Sequence, residues 1–318
     1  MRIRGISYDV GRKMGGNWPP DYDPKIVHRE IEILRNDLHC NAVRICGADI
    51  DRLVASAEDA LNQGLEVWLA PEMWNKTPET TFSYLVKVAK ECEKLRARYP
   101  NKLVLIMDSE LSLFMRGIIP GRTFLQRLKN AFKGDFVRSG EHNMALNEFL
   151  TKTTKAVREV FYGKLSYASL MWERVDWNLF DIVGVDHYWD ERIKESYLGM
   201  MKPLFDFGKP IIITEFGFGT TKAPSLGATS LGNVNNQSRL LHQLPFVGRF
   251  VKPRLSKIIE RDEHLQAERI IDQLKLLDSA GVDGGFIFCF VSPINPYNDN
   301  PKYDLDRESS SLVKSYTG

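Results

Sequence analysis

The chain has 318 residues, 43% hydrophobic and 26% charged, a composition that suits a globular protein with room for one large α/β core. Its net charge of +2 gives no electrostatic reason to expect a nucleic-acid or membrane partner. The four cysteines (Cys40, Cys46, Cys92 and Cys289) form no close pair, so reduced, mostly buried thiols in a cytoplasmic protein are expected, with Cys46 and Cys289 in strands. Met1–Tyr8 reads directly as a strand, so no signal peptide is expected, and no apolar run is long enough to span a bilayer.

Taken in chain order, β-rich apolar runs alternate with amphipathic helical patterns. Strands are predicted at 3–8, 42–46, 66–70, 103–107, 165–170, 182–187, 210–215 and 285–290. Between them, helices are predicted at 24–38, 51–63, 78–98, 143–160, 193–207 and 263–280. Asp23-Pro24 and Thr77-Pro78 each place a capping side chain before a proline at the first helical position. Gly64 and Gly281 suit helix ends. After the fifth strand, residues 174–180 support only a turn or two.

Eight strands alternating with helices predict a single (β/α)8 barrel over residues 1–318. The alternative, a doubly wound open sheet, lacks a Gly-x-Gly-x-x-Gly after the first strand. Two connections, 111–141 and 216–262, are long, and both follow strands at the face where barrel active sites are built. Within the second, the Gly/Ser/Asn-rich stretch 225–236 reads as a mobile flap, and the apolar stretch 244–251 as a cleft lining, a barrel contact or a partner surface. The polar tail after Asn295 is expected to cover an edge of the barrel.

Two carboxylates stand where apolar strands run out: Glu110 after the fourth and Glu215 at the end of the seventh. Strands four and seven lie on opposite sides of a barrel, so the two can face each other across its mouth. Paired carboxylates roughly 5–5.5 Å apart are the equipment of a retaining glycosidase, one as acid/base and one as nucleophile. Arg44 lies inside an apolar strand and needs a buried partner, because an unpaired charge there is costly. His187 and Tyr188 end the sixth strand, His187 being equally readable as a core histidine bonded to a backbone carbonyl. Trp18, Trp74, Trp172, Trp189 and Phe290 fall near strand ends. Each alone reads as packing, but five at one face suggest surfaces on which sugar rings stack.

This arrangement resembles the large clan of retaining glycoside hydrolases built on (β/α)8 barrels, clan A. The resemblance implies Glu110 as acid/base, Glu215 as nucleophile, Arg44 holding the nucleophile ionised and Tyr188 donating to it. The clan usually has Asn before the acid/base and Trp at the end of the eighth strand; here stand Ser109, and Phe288 and Phe290. A closer resemblance is to a bacterial and archaeal family labelled "abortive infection protein". It is carried by 37–45, 64–68, 110–114, 213–217 and 304–306, which span nearly the whole chain. That label implies phage defence, although no residue in these runs carries such a role.

Competing chemistries are less well equipped. The six histidines contain no His-x-His pair for a metal-dependent barrel hydrolase, and no strand ends in the lysine a Schiff-base aldolase needs. A phosphate nest at 216–221 is a third option. The expected function is retaining hydrolysis of an O-glycosidic bond in an oligosaccharide or glycoconjugate, without cofactor or metal. The alternative is a catalytically silent carbohydrate-binding or scaffold barrel. Sugar identity, anomer, endo or exo action and oligomeric state are not written in the sequence.

Overall fold

The computed structural model describes residues 1–11, 22–133, 135–225, 227, 233–235, 237–238, 246, 250–292 and 295–315. Eight strands close into one parallel barrel in sequential order. They are β1 (Ile3–Asp9), β2 (Ala42–Gly47), β3 (Glu66–Pro71), β4 (Leu103–Ser109), β5 (Lys164–Leu170), β6 (Val183–Asp186), β7 (Ile211–Phe216) and β8 (Gly284–Ile287). All eight predicted strands are present, with shifted ends. β6 stops at Asp186, so His187 lies beyond it. β8 stops at Ile287, so Cys289 and Phe290 lie past the strand rather than in it.

The period-2 alternation of the strands sorts their side chains into two separate cores. Val43, Ile45, Val67, Leu69, Leu103, Leu105, Leu165, Val183, Val185, Ile211 and Ile213 pack outward in the layer shared with the helices. Ile3, Ala42, Cys46, Trp68, Ala70, Val104, Ile106, Ala168, Ile212 and Phe286 fill the barrel interior. Burial on both faces is why these strands read as continuous apolar runs.

The helices that cover the barrel form for local reasons. α1 (Pro24–Asn36) starts with Pro24 at its first turn, and the Asp23 carboxylate accepts from the Lys25 amide at 2.8 Å. α2 (Ile50–Asn62) is capped by Asp49 and α3 (Pro78–Arg98) by Thr77. Gly64 and Gly281 follow helices with positive φ, as expected of residues past a helix end. The long 111–141 connection is largely helical. It contains α4 (Leu111–Phe114), α5 (Phe124–Lys133) and α6 (Asp135–Ser139) before α7 (Glu141–Arg158).

The helix predicted at 193–207 does not form. Turns, a 3-10 turn at Gly199–Met201 and the single-turn α8 (Lys202–Phe205) take its place. Gly199 weakens a helix there, and Pro203 can be accepted only in a first turn, where its missing N–H costs nothing. α9 (Glu263–Ser279) completes the set. Among the described residues no helix is long and apolar enough to cross a membrane.

Most of 225–236 and of 244–251 lies outside the described residues. The tail packs over the β7–β8 side of the barrel, as expected. Leu312 donates to the Cys289 carbonyl at 3.0 Å, and the Gln266 amide of α9 reaches both Phe218 and Ser311 carbonyls. Arg261 binds Asp304 and Asp306, both almost fully buried, and so fixes the tail to the loop after β7.

The barrel closes between β1 and β8, where Gly284 lies against Ile3. A Cβ there would sit 2.5 Å from the Ile3 oxygen and 2.4 Å from its Cβ. Gly284→Ala should therefore destabilise the chain by at least about 1–3 kcal/mol, as overpacking against backbone does. A lowered midpoint in urea unfolding checks this; an unchanged midpoint would contradict the close approach.

Candidate active site

The mouth of the barrel is built on the inward-facing register of its strands. Arg44 falls between the interior residues Ala42 and Cys46 on β2, so its side chain points inward and is fully buried. Two interruptions of the ladder then turn acidic strand ends toward it. On β7 the register shifts between Ile213 and Phe216, both of which pack outward. With unbroken alternation Glu215 would face the helices; the irregularity turns it into the mouth instead.

On β4 the register shifts between Ile106 and Ser109, at Asp108, whose φ is +70°. The Asp108 carboxylate accepts from the Ser109 amide at 2.8 Å, a local bond that supports the left-handed backbone. Ser109 consequently faces Arg44, and Glu110, itself at φ +46°, begins α4. The Glu110 amide donates to the Ala168 carbonyl of β5 at 2.8 Å, and its own carbonyl accepts from Leu113 and Phe114.

Arg44 organises the site. Its Nη1 donates to Glu215 at 2.8 Å, and its Nη2 to Glu72 at 3.0 Å and to the Ser109 hydroxyl at 2.7 Å. Ser109 Oγ in turn lies 3.4 Å from Glu72. The other oxygen of Glu215 accepts from the Tyr188 hydroxyl at 2.9 Å. Glu215 is thus held by a guanidinium and a phenol, one on each oxygen.

Glu110 has the opposite environment. Burial, followed by the negative charges of Asp186, Glu215, Glu173 and Glu72, pushes its carboxyl well above the usual carboxylate range. Glu110 and Glu215 are therefore close enough to feel one another's charge. Burial and neighbouring carboxylates favour a protonated Glu110, while Glu215 is engaged by a guanidinium and a phenol. Beneath Glu110, the Tyr167 hydroxyl accepts from the Leu111 amide at 2.8 Å and donates to Glu173 at 3.0 Å. Glu173 also accepts from the Ser112 amide, so the first turn of α4 is anchored from β5.

The other sequence candidates divide. Trp74 stacks on Phe114 (3.9 Å between centroids), and Phe124 stacks on both. Trp172 meets Phe132 edge to face. These rings line the β3–β5 side of the mouth, and the two tryptophans remain partly exposed. Trp189 packs against Tyr197 and is also partly exposed. Trp18 lies outside the described residues.

Phe290 is 1% exposed and packs against Tyr8, so it offers no open ring face and belongs to the core. His187 is likewise a core residue. Its Nε2 bonds the Tyr197 carbonyl at 2.9 Å and its ring stacks on Tyr197, while burial lowers its pKa to about 4 and keeps it neutral. Ser109 acts on Arg44 and Glu72 rather than offering its hydroxyl outward.

Three site carboxylates escaped the sequence reading: Glu72, Asp186 and Glu173. Glu72 follows β3 just as Glu110 follows β4, so the strand-end signal was there to be read. Asp186 ends β6, beside the histidine and tyrosine that drew attention. Glu173 sits in a loop, where nothing in the sequence marks it.

No family model and no curated protein matches the chain. Its likeness to solved structures lies in the fold. A GH113 β-1,4-mannanase superposes with a TM-score of 0.61 at 13% identity, over 99% of this chain and 95% of that one. The GH113 β-mannanase AaManA from Alicyclobacillus acidocaldarius superposes with a TM-score of 0.52 at 14% identity, over 98% and 92%. Bacteroides uniformis β-glucuronidase 2 gives 0.57 at 15% identity, over 99% of this chain but 33% of that one. The barrel is thus of the kind found in glycoside hydrolases.

Removing the Arg44 guanidinium would take from Glu215 and Glu72, both buried, a cation that donates to each. Arg44→Ala should therefore cost about 3–5 kcal/mol of stability. Urea unfolding at neutral pH checks this; a loss below about 1 kcal/mol would mean the guanidinium is not the cation on which these carboxylates depend.

Proposed function

We propose that the chain hydrolyses an O-glycosidic bond with retention of configuration, acting on an oligosaccharide or glycoconjugate. The observation that supports this reading is the asymmetry of two strand-end carboxyls: Glu110 driven toward its protonated form, Glu215 gripped by Arg44 and Tyr188. Glu110 donates its proton to the leaving oxygen as Glu215 attacks the anomeric carbon. Glu110, now a carboxylate, then takes a proton from water as that water displaces Glu215. Arg44 and Tyr188, each donating to one oxygen of Glu215, hold it oriented for attack. The glycosidase fold of the structural neighbours supports the same reading, and the mannanases among them make a neutral hexose chain the first substrate to try.

One observation favours a second reading, a sugar-binding barrel without turnover. The hydroxyl of Ser109 is engaged by Arg44 and Glu72, so it is not free to meet a sugar hydroxyl beside Glu110. That reading expects saturable sugar binding with no product.

The mutational test uses aryl glycosides and manno- or gluco-oligosaccharides. Glu215→Ala should abolish turnover of every substrate. Glu110→Ala should lose about 10²–10⁴-fold on oligosaccharides and far less on aryl glycosides, whose leaving groups need no proton. Full activity in Glu215→Ala would sink the assignment. Trapping with a 2-fluoro glycosyl fluoride should add one sugar at Glu215, seen by peptide mass spectrometry.

The pH dependence follows from the raised Glu110. Only its protonated form can donate, so kcat/KM should fall as pH rises through a midpoint well above that of an ordinary carboxylic acid. Glu110→Gln should erase this alkaline limb. A rate that instead rises into the alkaline range would contradict the acid role.

A further inference from the structure

Arg127 lies fully buried on α5, and every oxygen it bonds is neutral. Its Nε donates to the Leu113 carbonyl and its Nη1 to the Gly121 carbonyl at 3.2 Å. Its Nη2 donates to the Phe114 carbonyl at 3.1 Å and to the Asn75 side chain at 2.7 Å. A guanidinium taken out of water without a countercharge is costly, so the position requires a full set of acceptors. Leu113 and Phe114 are the last residues of α4, whose carbonyls lack partners within the helix and favour a cation. Gly121 leaves room for the side chain, since a Cβ there would lie 2.9 Å from Arg127 Cγ.

The segments that Arg127 joins carry the rings on the β3–β5 side of the mouth. Asn75 directly follows Trp74 and has a left-handed backbone, φ +57°, which asparagine tolerates. Its amide donates at 2.8 Å to the Phe114 carbonyl, the same oxygen that Arg127 reaches. Phe124 stands on α5, three residues before Arg127. Trp74, Phe114 and Phe124 lie parallel to within 26°, with Phe114 buried and the other two half-buried. The Trp74 indole N–H has no hydrogen-bond partner, so stacking and the backbone beneath it fix that ring. The wall is also tied to the candidate acid: the Phe114 amide donates to the Glu110 carbonyl at 3.0 Å.

We propose that Arg127 is a positioning residue for substrate binding: by joining Asn75 to the end of α4 it sets Trp74 and Phe124 as one wall, on which a sugar of the leaving group stacks beside Glu110. This role rests on the glycosidase reading, in which the acid stands at the leaving oxygen. Parallel half-buried rings present a broad apolar surface suited to the C–H face of a sugar. Lysine would supply the charge at this position but not the planar fork. Four acceptors on separate segments need the several fixed N–H groups of a guanidinium.

The test uses the full-length protein with manno- or gluco-oligosaccharides, and with the matching glycosyl fluoride, whose leaving atom reaches no ring. Arg127→Lys keeps a cation and loses the fork. Its KM on oligosaccharides should rise about three- to tenfold with kcat nearly unchanged, as when binding shared by ground and transition states is lost. Hydrolysis of the fluoride should suffer far less. In a Trp74→Ala background the same change should add little, because its effect runs through that ring. Asn75→Gly keeps the left-handed turn and removes only the side-chain acceptor. It should act in the same direction by less, and it stands in where Arg127→Lys does not fold.

The hold on the ring is measured without turnover from the Trp74 indole ¹H–¹⁵N signal, assigned by its loss in Trp74→Phe. The ring currents of Phe114 and Phe124 displace that signal. Arg127→Lys and Asn75→Gly should move it toward the position of an unstacked indole, while the signals of the buried Trp68 and Trp177 stay in place. A Trp74 signal unmoved in both variants, an unchanged KM, or losses that simply add overturn the proposal. A moved signal in a protein that turns over no glycoside upholds the hold of Arg127 on the wall and defeats the hydrolase reading alone.

Discussion

A single buried guanidinium sets the terms for the rest of the mouth. Arg44 is fully enclosed on an interior strand position, and such a charge persists only where carboxylates and hydroxyls surround it. Glu215, Glu72 and Ser109 supply that surround from three other strand ends. The same contacts that make Arg44 tolerable orient Glu215, so the stability of the mouth and the placement of this carboxylate are one arrangement. Burial favours the protonated forms of Glu110 and Asp186.

Two irregular strands make this meeting geometrically possible. Regular alternation would send Glu215 outward to the helices. It would also give Asp108, rather than Ser109, the place beside Arg44. Each register shift spends a few hydrogen bonds of ladder regularity at the sheet's rim. In both cases the side chain after the shift reaches the common center of the mouth. Left-handed backbone at Asp108 and Glu110 is uncommon for residues with a Cβ, and here it sits directly beside the candidate acid.

Much of this was legible without coordinates. Each strand carries its own apolar signal, and Asp23-Pro24 and Thr77-Pro78 mark helix starts by local chemistry, so α3 appears with the bounds expected. Counting strands around a closed barrel leads to the expectation that Glu110 and Glu215 face each other, while the bonds of Arg44 and Tyr188 to Glu215 are implied by the resemblance to the clan. What misled was equally local. Residues 193–207 have helical periodicity, yet Gly199 and Pro203 break the backbone pattern that periodicity presumes. Phe290 and His187 lie near strand ends, but position along a chain does not reveal which way a side chain turns, and both turn into the core.

By itself the sequence determined the barrel, the strand ends that carry acidic residues, and the arginine inside the second strand. These depend on patterns within a few residues of each other, where hydrophobic periodicity and capping act. Only the tertiary structure decided that Glu72 shares Arg44 with Glu215, that Ser109 serves Arg44, and that Asp186 pairs with Glu215 across the ladder. Those relations join residues 28 to 171 positions apart. They hang on one-residue shifts in strand register that leave no mark in composition, because a shift of one residue exchanges the two faces of a strand.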